Sequence, residues 1–188
     1  TRQIADLIAA LKIDKQIDII GISMGGPVVT EFTNKYPEKV RKVILISPVS
    51  KPLNAAVLNI PILGNYIMDL YFARRQSGDF FKPEDHPEWP EKFKPQMKYK
   101  GFKRAILSTL RNFTNDDKLP VYSELNKLNK EVLLIWGEHD KTTPFVENVR
   151  IRETVKCDFL GVKEAGHVPH LEHPELVHSG LIRFLNKQ

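Results

Sequence analysis

Short, nearly continuous apolar runs recur along the chain at Ile17-Asp18-Ile19-Ile20, Val43-Ile44-Leu45-Ile46, Val132-Leu133-Leu134-Ile135-Trp136 and Asp158-Phe159-Leu160-Gly161-Val162. Runs of this length without strict alternation belong to strands buried on both faces, hence to a parallel sheet. Around them the apolar positions change to helical spacing. Ile4, Leu7, Ile8 and Leu11 share one face and predict an amphipathic helix over 1–12. A second helix is predicted over 27–35, with Pro27 in its first turn and Pro37 just past its end. Pro174 to Leu185 predicts a terminal helix with Leu176, Val177, Leu181, Phe184 and Leu185 turned inward. Strands at 17–20, 43–46, 132–136 and 158–162 separated by such helices make the fold class α/β, a mostly parallel sheet with flanking helices.

Residues 50–118 interrupt the alternation and read as a cap inserted between a first core part, 1–49, and a second, 119–188. The first half of the cap, Leu53 to Phe72, suits helices whose apolar face roofs a pocket. It is long enough to raise a membrane span, but Asn54, Asn59, Pro61, Gly64, Asn65 and Asp69 break it up and argue against one. Between 74 and 104 nine cations face five acids, which leaves +4 of the formal net charge of +5. Such a face can attract anionic lipid headgroups or an acidic substrate, although a solvated, proline-rich loop face is the simpler expectation. Aromatic residues interleave with these cations, yet no nucleic-acid-binding signature accompanies them, so no nucleic-acid partner is expected.

With 188 residues, 41% hydrophobic and 27% charged, the chain has the composition of one soluble globular domain. Its single cysteine, Cys157, has no partner for an internal disulfide and reads as a small core or edge residue. That favours a cytoplasmic setting, weakly.

The chemistry gathers where the strands end. Ile17 to Ile22 runs into Gly21-Ile22-Ser23-Met24-Gly25 and then directly into a helix, the context of a nucleophile elbow. A serine on such a turn has its hydroxyl raised above the sheet edge, and Gly21 and Gly25 are expected where side chains would collide. The strand over 132–136 ends in a turn bearing Glu138 and Asp140; both are candidate acids, with Asp140 preferred. The strand over 158–162 leads to His167 on a glycine-led loop. His167, His170 and His173 recur every three residues, but Pro169 and Pro174 break that regularity and nothing completes a tetrahedral set, so no metal is expected.

In the order Ser23, Asp140, His167, and in the phrases Gly21-Ile22-Ser23-Met24-Gly25-Gly26, Trp136-Gly137-Glu138-His139-Asp140 and Ala165-Gly166-His167-Val168-Pro169-His170-Leu171-Glu172-His173-Pro174-Glu175, the chain resembles the α/β-hydrolase superfamily, in its serine esterase and lipase-like branch. The resemblance implies a Ser23 nucleophile, a His167 base, an Asp140 that orients it, and the N–H of Met24 as one oxyanion donor. It implies no cofactor and a hydrophobic small-molecule ester, thioester or amide as substrate. A non-catalytic binding or receptor protein of the same fold, and an acyltransferase, remain alternatives.

The resemblance also implies strands ahead of residue 1, one of them leading to the second oxyanion donor, so that the four strands here form the C-terminal half of the fold. On that reading the chain alone is an incomplete hydrolase, and its exposed strand edge pairs with the missing N-terminal segment or with another copy.

Overall fold

The computed structural model describes residues 1–52, 60, 78–113 and 116–187. Four parallel strands, β1 (Ile17–Ile22), β2 (Val40–Ile46), β3 (Glu131–Gly137) and β4 (Asp158–Val162), lie side by side in the order of the sequence. β4 matches its apolar run and the other three strands are two or three residues longer, because residues such as Val40, Glu131 and Gly137 pair in the ladder without belonging to the run.

Side-chain alternation across the pleat divides the core in two. Val43, Leu45, Val132, Leu134 and Trp136 point to one face and pack with Ile8, Val29, Phe32, Tyr122, Leu125 and Ile151. These come from α1 (Arg2–Ala10), α2 (Gly25–Lys35), α5 (Leu119–Lys127) and α6 (Glu147–Thr154). Ile44, Ile46, Leu133 and Ile135 point to the other face, where Val177 and Phe184 of α8 (Pro174–Leu185) cover them. Burial on both sides explains why β2 and β3 read as continuous hydrophobic runs, and each such fully buried aliphatic side chain contributes roughly 1.5–3 kcal/mol.

Three polar side chains taken into this core find hydrogen-bond partners. Thr30 and Thr33, both buried on α2, donate back to the carbonyls of Gly26 and Val29. Lys42 of β2 is 2% exposed, and its ammonium donates to the carbonyls of Phe184 and Lys187 and to the Glu131 carboxylate, closing the C-terminal end of α8 onto the sheet.

Two helices differ from their predicted faces. Ile8 is buried in the core with Ile4 and Ala5 packed against it, but Leu7 and Leu11 are 58% and 61% exposed. In α8 Leu176 is exposed, so the inward stripe is narrower than the sequence predicts. Helices α5 and α6 were not marked by the sequence pattern at all, being short and amphipathic only through Tyr122, Leu125 and Ile151.

The described part of the charged stretch, from residue 78, is the expected loop only as far as residue 88. Beyond a single 3-10 turn at Pro83–Asp85 it forms α3 (Trp89–Met97) and then α4 (Phe102–Asn112). Phe93, Met97, Phe102, Ile106 and Leu110 gather around the buried Leu107. The prolines misled because Pro90 sits in the first turn of α3, where no N–H is missed, and Pro95 is accommodated within it. The lysines described in this stretch are exposed, with surface pairs Lys92–Glu88 and Lys94–Glu91. The predicted apolar first half of the cap lies largely outside the described residues. Among those described, no helix is long and apolar enough to cross a membrane.

Candidate active site

The C-terminal ends of all four strands open onto one edge of the sheet, the edge where open α/β proteins collect ligands. Ser23 follows β1, Ser47 follows β2, Asp140 lies three residues past β3, and His167 five past β4. A separate cavity of about 460 Å³, lined by Lys130, Glu131, Cys157, Asp158 and Lys187 among others, lies at the opposite, N-terminal edge.

Ser23 occupies the left-handed region at φ 53°, a strained conformation for a residue with a side chain. It is held there by its N–H, which donates to Ile46 O at 2.9 Å, and by its carbonyl, which accepts from Val49 N at 3.1 Å and from Gly26 N at 3.0 Å. The turn is tight enough that a Cβ at Gly21 would come within 2.5 Å of Gly25 O and 2.6 Å of Val29 Cγ2. At Gly25 the expectation of crowding is corrected: a Cβ there meets nothing within 4 Å. The crowded neighbour is Gly26, where a Cβ would lie 2.5 Å from that of Pro48. Met24 sits at the N-terminus of α2, where the first N–H groups have no acceptor within the helix.

Asp140 and His167 are brought into contact. Both are nearly buried, at 5% and 6% exposure, and His167 Nδ1 lies 2.8 Å from Asp140 Oδ2. A carboxylate only accepts, so Nδ1 carries the proton and Nε2 is left as the acceptor. The other carboxylate oxygen, Oδ1, accepts from the N–H groups of Thr142 at 2.8 Å and Thr143 at 2.9 Å. Glu138, the competing acid, is exposed and joins this arrangement only through its backbone, its N–H donating to Val162 O. Among the described residues no hydrogen bond joins the Ser23 hydroxyl to His167. In unliganded sites such bonds are often long and tighten only with substrate.

A second group of residues, absent from the sequence reading, fixes the histidine loop. The carbonyl of Asp79 accepts from His167 N at 2.7 Å, while the Asp79 carboxylate accepts from Thr142 Oγ1 at 2.8 Å. Glu172, in the short helix α7 (Pro169–Glu172), accepts from the N–H groups of Gly166 at 2.7 Å and Phe81 at 2.6 Å, one on each oxygen. The Phe81 ring stacks on His139 at 4.1 Å, and Phe80 is buried against His86 and Trp89. Residues 79–81 thus strap the acid and histidine loops together, through contacts across 58 positions or more that no local pattern announces.

The remaining histidines do not converge. Among the described residues no group of three or more His, Cys, Asp or Glu side chains is arranged to hold a metal. His173 Nε2 lies 3.1 Å from Glu164 O, and the pKa of His170, its Nδ1 buried without a partner among the described residues, is lowered by burial and by the nearby His167 and His178. The Cys157 thiol, pushed up to about 11 by burial, is poorly suited to nucleophilic chemistry.

Curated relatives carry related names. A Mycoplasma genitalium protein named as an esterase/lipase is 28% identical over 97% of this chain and 68% of its own length. The carboxylesterase YbfK of Bacillus subtilis is 25% identical over 89% of this chain and 56% of its own, and lipase 3 of a Moraxella species 26% identical over 89% and 55%. The chain therefore spans little more than half the length of the latter two. Among solved structures, a thermophilic esterase from Thermogutta terrifontis superposes with a TM-score of 0.76 at 22% identity, covering 97% of this chain and 69% of that one. A haloalkane dehalogenase from Agrobacterium tumefaciens does so with 0.79 at 16%, covering 99% and 72%. Identities this low speak for the fold alone. The model of the alpha/beta hydrolase family matches residues 1–179, from α1 into α8, and the chain belongs to that family.

Proposed function

We propose that this chain carries the catalytic residues of a serine hydrolase that cleaves carboxylic esters of a hydrophobic acyl group. Ser23 attacks the carbonyl carbon, His167 Nε2 takes the hydroxyl proton and returns it to the leaving alcohol, and water repeats the cycle on the acyl-enzyme. Asp140 holds the imidazole in the tautomer that keeps Nε2 free and offsets the charge it gains. The N–H of Met24 is one donor to the oxyanion.

The observation that carries this reading is the buried 2.8 Å contact between His167 Nδ1 and Asp140 Oδ2 at the same sheet edge as a strained serine. The names esterase, carboxylesterase and lipase among the relatives favour an ester over other acyl substrates. The test is labelling by a fluorophosphonate in the protein at its natural length. Wild type should be labelled at Ser23, and Ser23→Ala should lose labelling and roughly 10⁴- to 10⁶-fold of its esterase turnover, with no further loss on adding His167→Ala. Labelling that persists in Ser23→Ala overturns the assignment. Products from an ester offered together with competing alcohols separate hydrolysis from acyl transfer.

A further inference from the structure

Thr143 is the residue on which the histidine, the acid and the neighbouring strand converge. It is 7% exposed, and its carbonyl is fixed by the indole N–H of the fully buried Trp136 at 2.9 Å. Its N–H is spent on Asp140 Oδ1. Its hydroxyl oxygen then lies 2.9 Å from Asp140 Oδ2, 3.1 Å from Ser47 O and 3.2 Å from His167 Nδ1. Ser47 is the residue after β2, its own N–H bonded to Ile135 O and its backbone in the left-handed region at φ 43°. It directly follows Ile46, whose carbonyl holds Ser23 N. One side chain therefore links the strand end that braces the serine to the acid and the base.

A hydroxyl has one proton, and Asp140 Oδ2 is both its nearest acceptor and the only charged one. With Thr143 donating there, Oδ2 receives two hydrogen bonds and Oδ1 two more, which saturates a buried carboxylate. Each donor draws electron density from the oxygen that faces the imidazole. Removing the Thr143 donor leaves Oδ2 more basic, so it holds the imidazolium form of His167 more strongly.

We infer that Thr143 is a positioning residue of the hydrolase, its hydroxyl fixing Asp140 against His167 and moderating how tightly the histidine holds its second proton. This inference rests on the roles proposed above for Ser23, Asp140 and His167. Of the other titratable groups near His167, Asp79 is bonded to Thr142 and Glu172 to the N–H groups of Gly166 and Phe81. His170, lowered by its burial, is near enough to both His167 and His178 to feel their charge, and it is present unchanged in every Thr143 variant. None of them is hydrogen-bonded to Thr143 among the described residues.

The experiment measures kcat/KM against pH for an activated ester, p-nitrophenyl butyrate, with Thr143→Val and Thr143→Ser in the protein at its natural length. Thr143→Val should lose about 10- to 100-fold, the expected cost of a hydrogen bond to a charged group, and its acidic limb should move to higher pH by about half a unit or more. Thr143→Ser should restore both. If the valine variant does not fold, Thr143→Ala is compared with Thr143→Ser, a pair that differs only in the hydroxyl. An acidic limb that stays in place without the hydroxyl, or a serine variant as impaired as its hydroxyl-free counterpart, overturns the inference. Ser23→Ala and His167→Ala, run alongside, separate the two levels. If they abolish turnover while Thr143→Val is unaffected, only the role of Thr143 falls; if they retain turnover, the reading of the site falls with it.

Discussion

The main-chain carbonyl of Asp79 accepts a 2.7 Å hydrogen bond from His167 N, so a residue of the segment between β2 and β3 holds the backbone of the candidate base. Glu172 closes the same strap from the other side, one oxygen on Phe81 N and one on Gly166 N. Glu172→Gln replaces one of those oxygens with an NH₂ group that faces an N–H. It is expected to lower kcat by about tenfold or more through misplacement of His167, and to open 78–82 to protease. Steady-state kinetics and limited proteolysis check both. Unchanged kinetics with increased cleavage would separate the strap from the chemistry.

The acid assignment has an equally direct test. Asp140 is buried against His167, whereas Glu138 is exposed two residues earlier. Asp140→Asn removes the acceptor that selects the Nδ1–H tautomer and should cost on the order of 10⁴ in kcat. Glu138→Gln should leave turnover nearly unchanged. The reverse ranking in esterase assays would move the role to Glu138.

Glu147 of α6 gives a pH dependence to stability. Burial alone would raise its carboxyl, but hydrogen bonds from Lys51 at 2.7 Å, Ser50 at 3.0 Å and Arg150 at 3.3 Å outweigh burial and hold it below the usual range. A folded value below the unfolded one means that the stabilisation is fully present above the unfolded value of about 4.5 and is lost as pH falls through the folded value. Glu147→Gln should therefore cost roughly 1–3 kcal/mol at pH 7 and show a shallower loss below pH ~4.5 than wild type. Urea unfolding at several pH values measures this, and parallel wild-type and variant curves would remove Glu147 as the cause.

Among the described residues β1 pairs only with β2, and beside its open edge Leu7, Leu11, Ile13, Ile20 and Ile22 are all more than a third exposed. An unpaired edge next to apolar side chains recruits another strand. Residues 1–188 produced alone are expected to self-associate, and Ile20→Lys to reduce that association. Sedimentation velocity reads the outcome; a stable wild-type monomer at tens of micromolar would refute it.

Much of this protein is decided by local pattern. Side chains alternate across a strand, so Val43-Ile44-Leu45-Ile46 and Val132-Leu133-Leu134-Ile135-Trp136, apolar at every position, can only be buried on both faces, and a parallel sheet follows. The places of Ser23, Asp140 and His167 were legible for a related reason. Each lies in a short turn directly after a strand, and in parallel sheets those turns share one edge. What the pattern could not decide depends on contacts distant in sequence. Leu7 and Leu176 have the right spacing for burial, yet among the described residues no element covers them and both are exposed. The helices α3 and α4 are stabilised by packing around Leu107, which outweighs the prolines that mark a loop locally. Thr143, Asp79 and Glu172 carry no motif. Their roles arise because folding sets a hydroxyl, a carbonyl and a carboxylate within hydrogen-bond distance of Asp140, His167 and Gly166, and only the tertiary structure fixes such distances.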